Sequence, residues 1–568
     1  MKKFISGGIA LAAVTSLVGM SVFAAKNYTA ADLVALGDAL LGRGPVLEGQ
    51  DVTGDGIVNV FDLIAMRQAM LSTGEFTEST VPATEENVRY IGRNYYDGED
   101  LWLVHSGSAA EFTVTGKSAS VTISGGGSEK NDEKSRPRYA VIVDGEIVLD
   151  ELIDQAEKTI TLFEGETSRT AKVEVIHLSE ANNGAVGLKS ITVDSDSLVP
   201  VAPTAKKDLT IEFVGDSITC AYGVEGKDQY ENFRTSTENF MKSYAYLTAQ
   251  QLGADYSAVS YSGYGIISGY TSDERNTDSL VPPIYCQIAK QKYTQAWDFE
   301  SHKSDVVVIN LGTNDDSYLS KDFEARCDTY TEGYVDFLGT VRENNPDAYI
   351  ICTVGTMGCE EVYPLIEEAV AQFTKATGDT KVTSFQSATQ NMADGLGSDW
   401  HPSEVTHQKA AYFLADFICK TIGRESDEMG VNVTSGLEYQ LSEAEGTNGF
   451  GFYSEWNNSY NYNVVEGGSS PDAISVYMAP FGLKAGGKYR LSFSAQAGEG
   501  ITLPVYVKSG DTVIFEDEYT GKGTGSKVTY TGEFTVKDAV SQGSLVFGIG
   551  ANNGLAFGIE SVELTRIG

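Results

Sequence analysis

Leu209-Thr-Ile-Glu-Phe-Val-Gly-Asp-Ser217 is an apolar run that ends on a glycine and delivers a serine hydroxyl. A run of this length bounded by a turn signal predicts a buried strand, with Ser217 on the loop at its end, where a ligand can reach it. The same pattern recurs. Asp305-Val-Val-Val-Ile-Asn and Tyr349-Ile-Ile-Cys-Thr-Val are further strand runs, while Ser243 to Leu252 and Ala410 to Ile422 have helical periods. Such alternation over residues 205–425 predicts a parallel sheet covered by helices on both faces, an α/β/α three-layer domain. Ligands bind such sheets at the carboxyl ends of the strands, so loops far apart in sequence converge there.

Three loops of this region carry the parts of one reaction: Gly215-Asp-Ser217, Gly312-Thr-Asn-Asp315 and Asp399-Trp-His-Pro402. A serine hydroxyl is a poor nucleophile unless a base takes its proton, and His401 is the candidate base because an imidazole titrates near neutrality. Val259-Ser-Tyr-Ser-Gly263-Tyr-Gly265 ends another strand with two glycines, which let a backbone amide approach a reacting oxygen closely. Ester hydrolysis by Ser217 then needs an oxyanion held by the Ser217 amide, a glycine amide from Gly263 or Gly265, and the Asn314 side chain. Tyr264 and Tyr270 either wall a small acyl pocket or pack in the core.

The order and strand-end placement of these blocks resemble the SGNH hydrolases, which open on a Gly-Asp-Ser nucleophile and close on an Asp and His near the C-terminal helix. Phe213-Val-Gly-Asp-Ser-Ile-Thr-Cys-Ala-Tyr-Gly, with a β-rich stretch before it, resembles family 2 carbohydrate esterases in particular, which deacetylate xylan and related polysaccharides. In the wider superfamily the acid stands three residues before the histidine, where this chain has Ser398. Asp399 stands two before, so either its carboxylate or a backbone carbonyl orients His401. By the same resemblance Trp400 stacks on sugar, against a plainer role in loop packing. His105, His177, His302 and His407 lack metal-ligand company, and His407 reads as a helix-surface residue. No catalytic cofactor is expected.

Outward from this region, Val88 to about Val201 is a series of short β runs between Gly, Asp and Ser turns, which predicts a jelly-roll-like β-sandwich over 88–204. Residues 426–568 predict a second β-sandwich: Tyr489, Leu491, Phe493 and Ala495 alternate with Arg490, Ser492, Ser494 and Gln496. Its early part mixes Phe450, Phe452, Tyr453, Trp456, Tyr460 and Tyr462 with Asn, Ser and Gly, a composition suited either to stacking on sugar rings or to an accessory core, and loosely similar to carbohydrate-binding modules. Residues 77–87, rich in Thr, Glu and Pro, read as a linker.

Nearer the N-terminus, Asp51-Val-Thr53-Gly-Asp55-Gly56-Ile57-Val-Asn59-Val-Phe-Asp62 places side-chain oxygens of Asp51, Thr53, Asp55, Asn59 and Asp62 and the carbonyl of Ile57 at calcium-loop spacing. Asp32-Leu-Val-Ala-Leu echoes Asp62-Leu-Ile-Ala-Met. The duplication resembles a type I dockerin over 26–76, the small α-helical module that binds structural Ca2+ and plugs into a cohesin of a scaffoldin. The first loop is missing, so one calcium is expected.

Lys2, Lys3, an apolar stretch to Phe23 and the pair Ala24-Ala25 read as a secretory signal over 1–25 rather than an anchor, because Gly, Ser and Thr interrupt the stretch. No later segment is apolar enough to span a bilayer, so no membrane is expected for the mature form. The formal charge of -38 argues against nucleic acid as a partner. Six cysteines lie between Cys220 and Cys419 without a Cys-x-x-Cys pair, which argues against zinc and for buried thiols or a single disulfide. The reading is a multidomain, extracellular, cellulosome-associated serine esterase acting on acetylated plant polysaccharide. Its rivals are an SGNH lipase or arylesterase, and a noncatalytic glycan-binding scaffold component.

Overall fold

The computed structural model describes residues 28–47, 49–52, 57–359, 361–387, 389–390, 394–424, 429–434, 437–454 and 459–568. The signal segment, Thr53, Asp55 and Trp456 lie outside them.

In the central domain five strands pair in parallel, in the spatial order Asp255–Ser260, Thr210–Gly215, Val306–Asn310, Tyr349–Thr353, Val382–Ser384. The first strand in sequence, Thr210–Gly215, thus lies between the second and third. Chain connections leave it in opposite directions on either side, which opens a crevice above the carboxyl ends of Thr210–Gly215 and Val306–Asn310. Ser217 and Asn314 stand on the two lips of that crevice. The three central strands are mostly apolar because both faces are covered: Val214, Ile309 and Cys352 meet one helical layer, Phe213, Val308 and Ile351 the other.

The charge in the deciding run, Glu212, is explained by its neighbour. Arg93 of the preceding β-rich domain donates to the Glu212 carboxylate at 2.8 Å, both side chains being almost wholly buried. A buried ion pair is worth little net stability but fixes how two surfaces register. The adhesion comes from Ile91, Ala109, Ile176 and Leu178 of that domain, which share a core with Ile211, Phe213 and Phe240. At about 1.5–3 kcal/mol for each fully buried large apolar side chain, this shared core outweighs the ion pair.

The β-rich domain is one antiparallel ten-stranded sheet. Its long strands Ala109–Ser124 and Glu157–His177 carry register shifts at Gly116/Ser118 and Ala119/Ser120, and such bulges let a sheet fold across a single core that includes Phe112, Val121, Tyr139, Val173 and Leu188. The linker expected at 77–87 is corrected here. Ser72–Pro82 is a strand antiparallel to Val186–Ser197, with Thr77 opposite Ser195 and Pro82 opposite Ser190, and Ala83 and Val88 are fully buried. Phe76, Thr77, Thr80 and Val81 in this stretch are good strand formers, and pairing with a neighbouring strand prevails over its linker-like composition.

The C-terminal domain stacks two five-stranded antiparallel sheets over Leu491, Phe493, Val505, Phe547 and Phe557. At the other end, helices Ala30–Leu40 and Val60–Leu71 each bury one apolar side chain fully among the described residues, Leu36 and Met66. Thr29 caps the first of them in a reciprocal box with Asp32.

Candidate active site

Ser217 begins the short helix Ser217–Cys220, and Asp216 caps it by accepting the Ile218 amide at 3.0 Å. As the first helical residue, Ser217 has no intrahelical partner for its own N–H, which is left for a ligand. Across the crevice, His401 presents Nε2 to Ser217 Oγ at 2.9 Å. Its Nδ1 lies 3.1 Å from the backbone carbonyl of Asp399. A carbonyl only accepts, so Nδ1 carries the hydrogen and Nε2 offers its lone pair to the serine.

The Asp399 carboxylate is turned elsewhere. It accepts the Tyr222 hydroxyl and the Phe233 amide, both at 3.0 Å. Of the two alternatives left by the sequence, the geometry selects the carbonyl, and the acid works at one remove: it pins a loop in which Asp399 (φ 50°) and Trp400 (φ 68°) are both left-handed. Such backbone needs outside support. Support comes from Asp399 N–H to the Glu231 carbonyl at 3.1 Å, Ser398 N–H to the Gly223 carbonyl at 2.9 Å, and Gln390 Nε2 to the Trp400 carbonyl at 2.9 Å. Tyr222 also lies against the imidazole, with ring centroids 4.2 Å apart.

Of the expected oxyanion donors, Gly263 has φ 83° and open space where a side chain would stand, and its amide has no partner in any hydrogen bond of the described residues. Gly265 is a correction. Its amide donates to the Ser279 carbonyl at 3.1 Å, and a Cβ there would lie 2.1 Å from the Ser268 carbonyl oxygen, so it is a glycine for packing rather than for the oxyanion. Asn314 Nδ2 donates to the Tyr264 carbonyl at 2.8 Å and more loosely to Asp216 at 3.3 Å. The longer bond is the one an oxyanion would displace.

Two buried acids hold the glycine loop. Asp315 accepts the amides of Ile266, Ile267 and Ser268 at 2.8–2.9 Å. From the β-rich domain, Glu180 accepts the amide of Ser262, next to Gly263, at 2.8 Å. Burial raises the pKa of both, that of Asp315 to about 6. Nothing in the sequence flagged Glu180, because it lies 82 positions from Ser262 and in another domain.

The aromatic expectations divide. Trp400 is half exposed and meets Tyr230 edge-on at 5.7 Å, an exposed partner that the sequence did not single out. Tyr264 is buried against Tyr261, so its carbonyl rather than its ring serves the site; the Tyr270 ring is 67% exposed. His407, read as a surface residue, is buried and accepts the Tyr244 amide at Nδ1, because the helix Glu404–Ile422 packs that side against the helix Tyr244–Gln251. All six cysteines are free thiols. In the N-terminal unit Asp62 is fully buried and accepts the amides of Val52 and Asn59 at 2.7 and 2.8 Å, which ties the start of its helix to the chain on either side.

Burial pushes the His401 imidazole from 6.5 down to about 4, against smaller upward pulls from the Asp399 and Ser398 backbone and the Asp399 charge. The neutral ring is the working base, and it is the form populated above that value. kcat/KM for a soluble acetyl ester should therefore hold well below pH 6.5 and reach half its plateau near pH 4. A half-point at or above 6.5, measured on protein shown by circular dichroism to stay folded, contradicts this.

Residues 213–409 match the GDSL-like Lipase/Acylhydrolase family, and residues 90–203 match the family described as Carbohydrate esterase 2 N-terminal. The cellulase/esterase CelE of Acetivibrio thermocellus is 32% identical over 353 residues, which are 61% of this chain and 41% of CelE, so the chain spans about two fifths of that relative. An acetylxylan esterase / glucomannan deacetylase of Cellvibrio japonicus is 26% identical over 340 residues, 58% of this chain and 88% of that protein. Among solved structures, a family two carbohydrate esterase from Clostridium thermocellum in complex with cellohexaose is 31% identical, covers 59% of this chain and 99% of its own, and has a TM-score of 0.51.

Proposed function

The chain belongs to the family 2 carbohydrate esterases, and from that membership we propose that it is a serine esterase that removes acetyl groups from plant cell-wall polysaccharide such as acetylxylan or glucomannan. The observation that carries this is the Ser217–His401 pair, with Nε2 at 2.9 Å from the hydroxyl and the tautomer set by a carbonyl. His401 takes the proton as Ser217 Oγ attacks the acetyl carbon. The developing oxyanion moves onto the amides of Ser217 and Gly263 and the Asn314 side chain, and the sugar hydroxyl leaves with the proton from His401. Water then repeats the sequence on the acetyl-serine and releases acetate.

Trp400 and Tyr230 at the rim offer aromatic faces for the sugar. The similarity to the Cellvibrio acetylxylan esterase / glucomannan deacetylase supports the same substrate class. Acetate release from acetylated xylan and acetylated glucomannan, set beside hydrolysis of 4-nitrophenyl esters of increasing chain length, tests the reading. Faster turnover of long acyl chains than of acetyl would instead favour a lipase-like enzyme.

The same proposal extends to location and partner: a secreted protein whose N-terminal unit is a dockerin, docking to a cohesin in a Ca2+-dependent way. Its two helices, with the cap residue Leu41, leave Val34, Leu41, Phe61 and Ile64 exposed, an apolar surface that a small helical unit does not bury by itself. Asp51, Asn59 and Asp62 are oxygen donors, suited to a hard cation that would fix the loop before the second helix. Chelation of calcium, or Asp51→Ala with Asp62→Ala, is expected to abolish capture by immobilised cohesin and to leave hydrolysis of 4-nitrophenyl acetate unchanged. Capture that survives both treatments refutes the docking role.

A further inference from the structure

The C-terminal domain turns one sheet face outward, and its register brings together residues that are far apart in sequence. Tyr489, Leu491, Phe493 and Ala495 point into the core, so Ser494 and Gln496 face out. Pairing carries that face across the sheet. Gln496 lies opposite Gly558, Gly558 opposite Asn461, and Asn461 opposite Phe452; in the next row Ala556 lies opposite Asn463, and Asn463 opposite Phe450.

A Cβ on Gly558 would lie 2.7 Å from Asn461 Oδ1 and 2.9 Å from Gln496 Nε2. The two amide side chains therefore converge over a floor that has no side chain of its own, one presenting an acceptor and the other a donor. Beside them Phe450 and Phe452 are 61% and 57% exposed. Two residues apart on one strand, their rings stand about 7 Å apart on the same face.

We propose that this face is a second glycan site, which holds a neutral cell-wall polysaccharide chain. The chemistry matches in three respects. Exposed aromatic rings offer flat apolar faces to pyranose rings. Amide side chains donate to and accept from hydroxyls. Charge is also complementary: in a chain of formal charge -38 these two rows contain no ionised group, and Glu560 at their border is neutralised by Lys527 at 2.5 Å.

The face continues past Ser494 and Thr529 into a cavity of about 400 Å3 between this sheet and the helix Glu404–Ile422, where Glu404 and Gln408 form the far wall. That helix begins three residues after His401. A chain seated on Phe450 and Phe452 is thus directed toward the domain that carries Ser217. The choice of a cell-wall polysaccharide rests on the function proposed above, whereas the site itself rests on this face.

The test uses the full chain with Ser217→Ala, so that ligand is not consumed, and retention in native gels cast with unsubstituted xylan or with soluble β-glucan. Phe450→Ala with Phe452→Ala is expected to weaken retention by at least about tenfold, the loss of two stacking contacts. Gly558→Val, which fills the floor between two flexible side chains, should weaken it similarly with an unchanged melting temperature. In the Ser217 background of the natural chain, both variants should hydrolyse 4-nitrophenyl acetate at the parent rate. Retention by either polysaccharide that is lost in both variants supports the site. Retention that both variants keep, or no retention of the parent by either polysaccharide, overturns it. Failure of the esterase reading would show instead in the 4-nitrophenyl acetate assay of the parent with Ser217 intact, which neither the phenylalanine nor the glycine change touches.

Discussion

Ser217→Ala is expected to lower kcat for acetyl-ester hydrolysis by about ten-thousand-fold or more, and Asp399→Asn to lower it by less than about tenfold. The first number follows from losing the only atom that forms the covalent intermediate; what survives is water attack assisted by the remaining oxyanion donors. The second is the more discriminating. In a full Ser-His-Asp triad, replacing the acid by its amide misplaces the imidazole hydrogen and costs about ten-thousand-fold. Here the partner of His401 Nδ1 is the Asp399 carbonyl at 3.1 Å, which an asparagine retains. Asparagine also tolerates the left-handed backbone at φ 50°, and its side-chain oxygen can accept from Tyr222 and Phe233 as the carboxylate does. Steady-state kinetics on 4-nitrophenyl acetate with both variants decide the matter. A loss in Asp399→Asn as large as that of a triad acid would restore the carboxylate to the proton relay, and residual activity in Ser217→Ala near the parent level would end the serine mechanism.

Asn314→Ala is expected to lower kcat by about a hundred- to a thousand-fold, close to 2.7–4 kcal/mol of transition-state stabilisation, with KM little changed. The split matters because Asn314 also supports the Tyr264 carbonyl at 2.8 Å. If its role were only to hold that loop, the damage would spread to KM and to the melting temperature. The donor faces Asp216, whose carboxyl is buried and raised to about 7 by desolvation. Asn314→Asp would put a second acid against it and should be no better than alanine. A loss below about tenfold in Asn314→Ala would assign the oxyanion to the Ser217 and Gly263 amides alone.

Several elements were legible in the residues because their signal is local. Strand runs of Val and Ile that end on glycine, the helical periods around Ala410, and the alternation from Tyr489 to Gln496 are periodicities of a few residues, set by which side chains face the core. Ser217, Asn314 and His401 were legible because each stands where a strand or loop must end. Composition misled at residues 77–87, whose Thr, Glu and Pro suggested a linker; a partner strand more than a hundred positions away makes Thr77 to Pro82 part of the sheet. His407 was misjudged for a related reason, since the helix that buries it comes from residues 244–251.

The residues alone settle the kind of chemistry, a nucleophile, a base and amide donors at strand ends, because those residue types have few other uses at that spacing. How they are held is a matter of the folded arrangement. Whether His401 turns to a carboxylate or a carbonyl, whether Gly263 or Gly265 has a free amide, and whether a buried Glu180 from another domain reaches the loop beside Gly263 all depend on hydrogen-bond partners that folding brings together. A hydrogen bond is set by ångström-scale position and direction, and no local pattern of residues carries that information across 82 or 184 positions of chain.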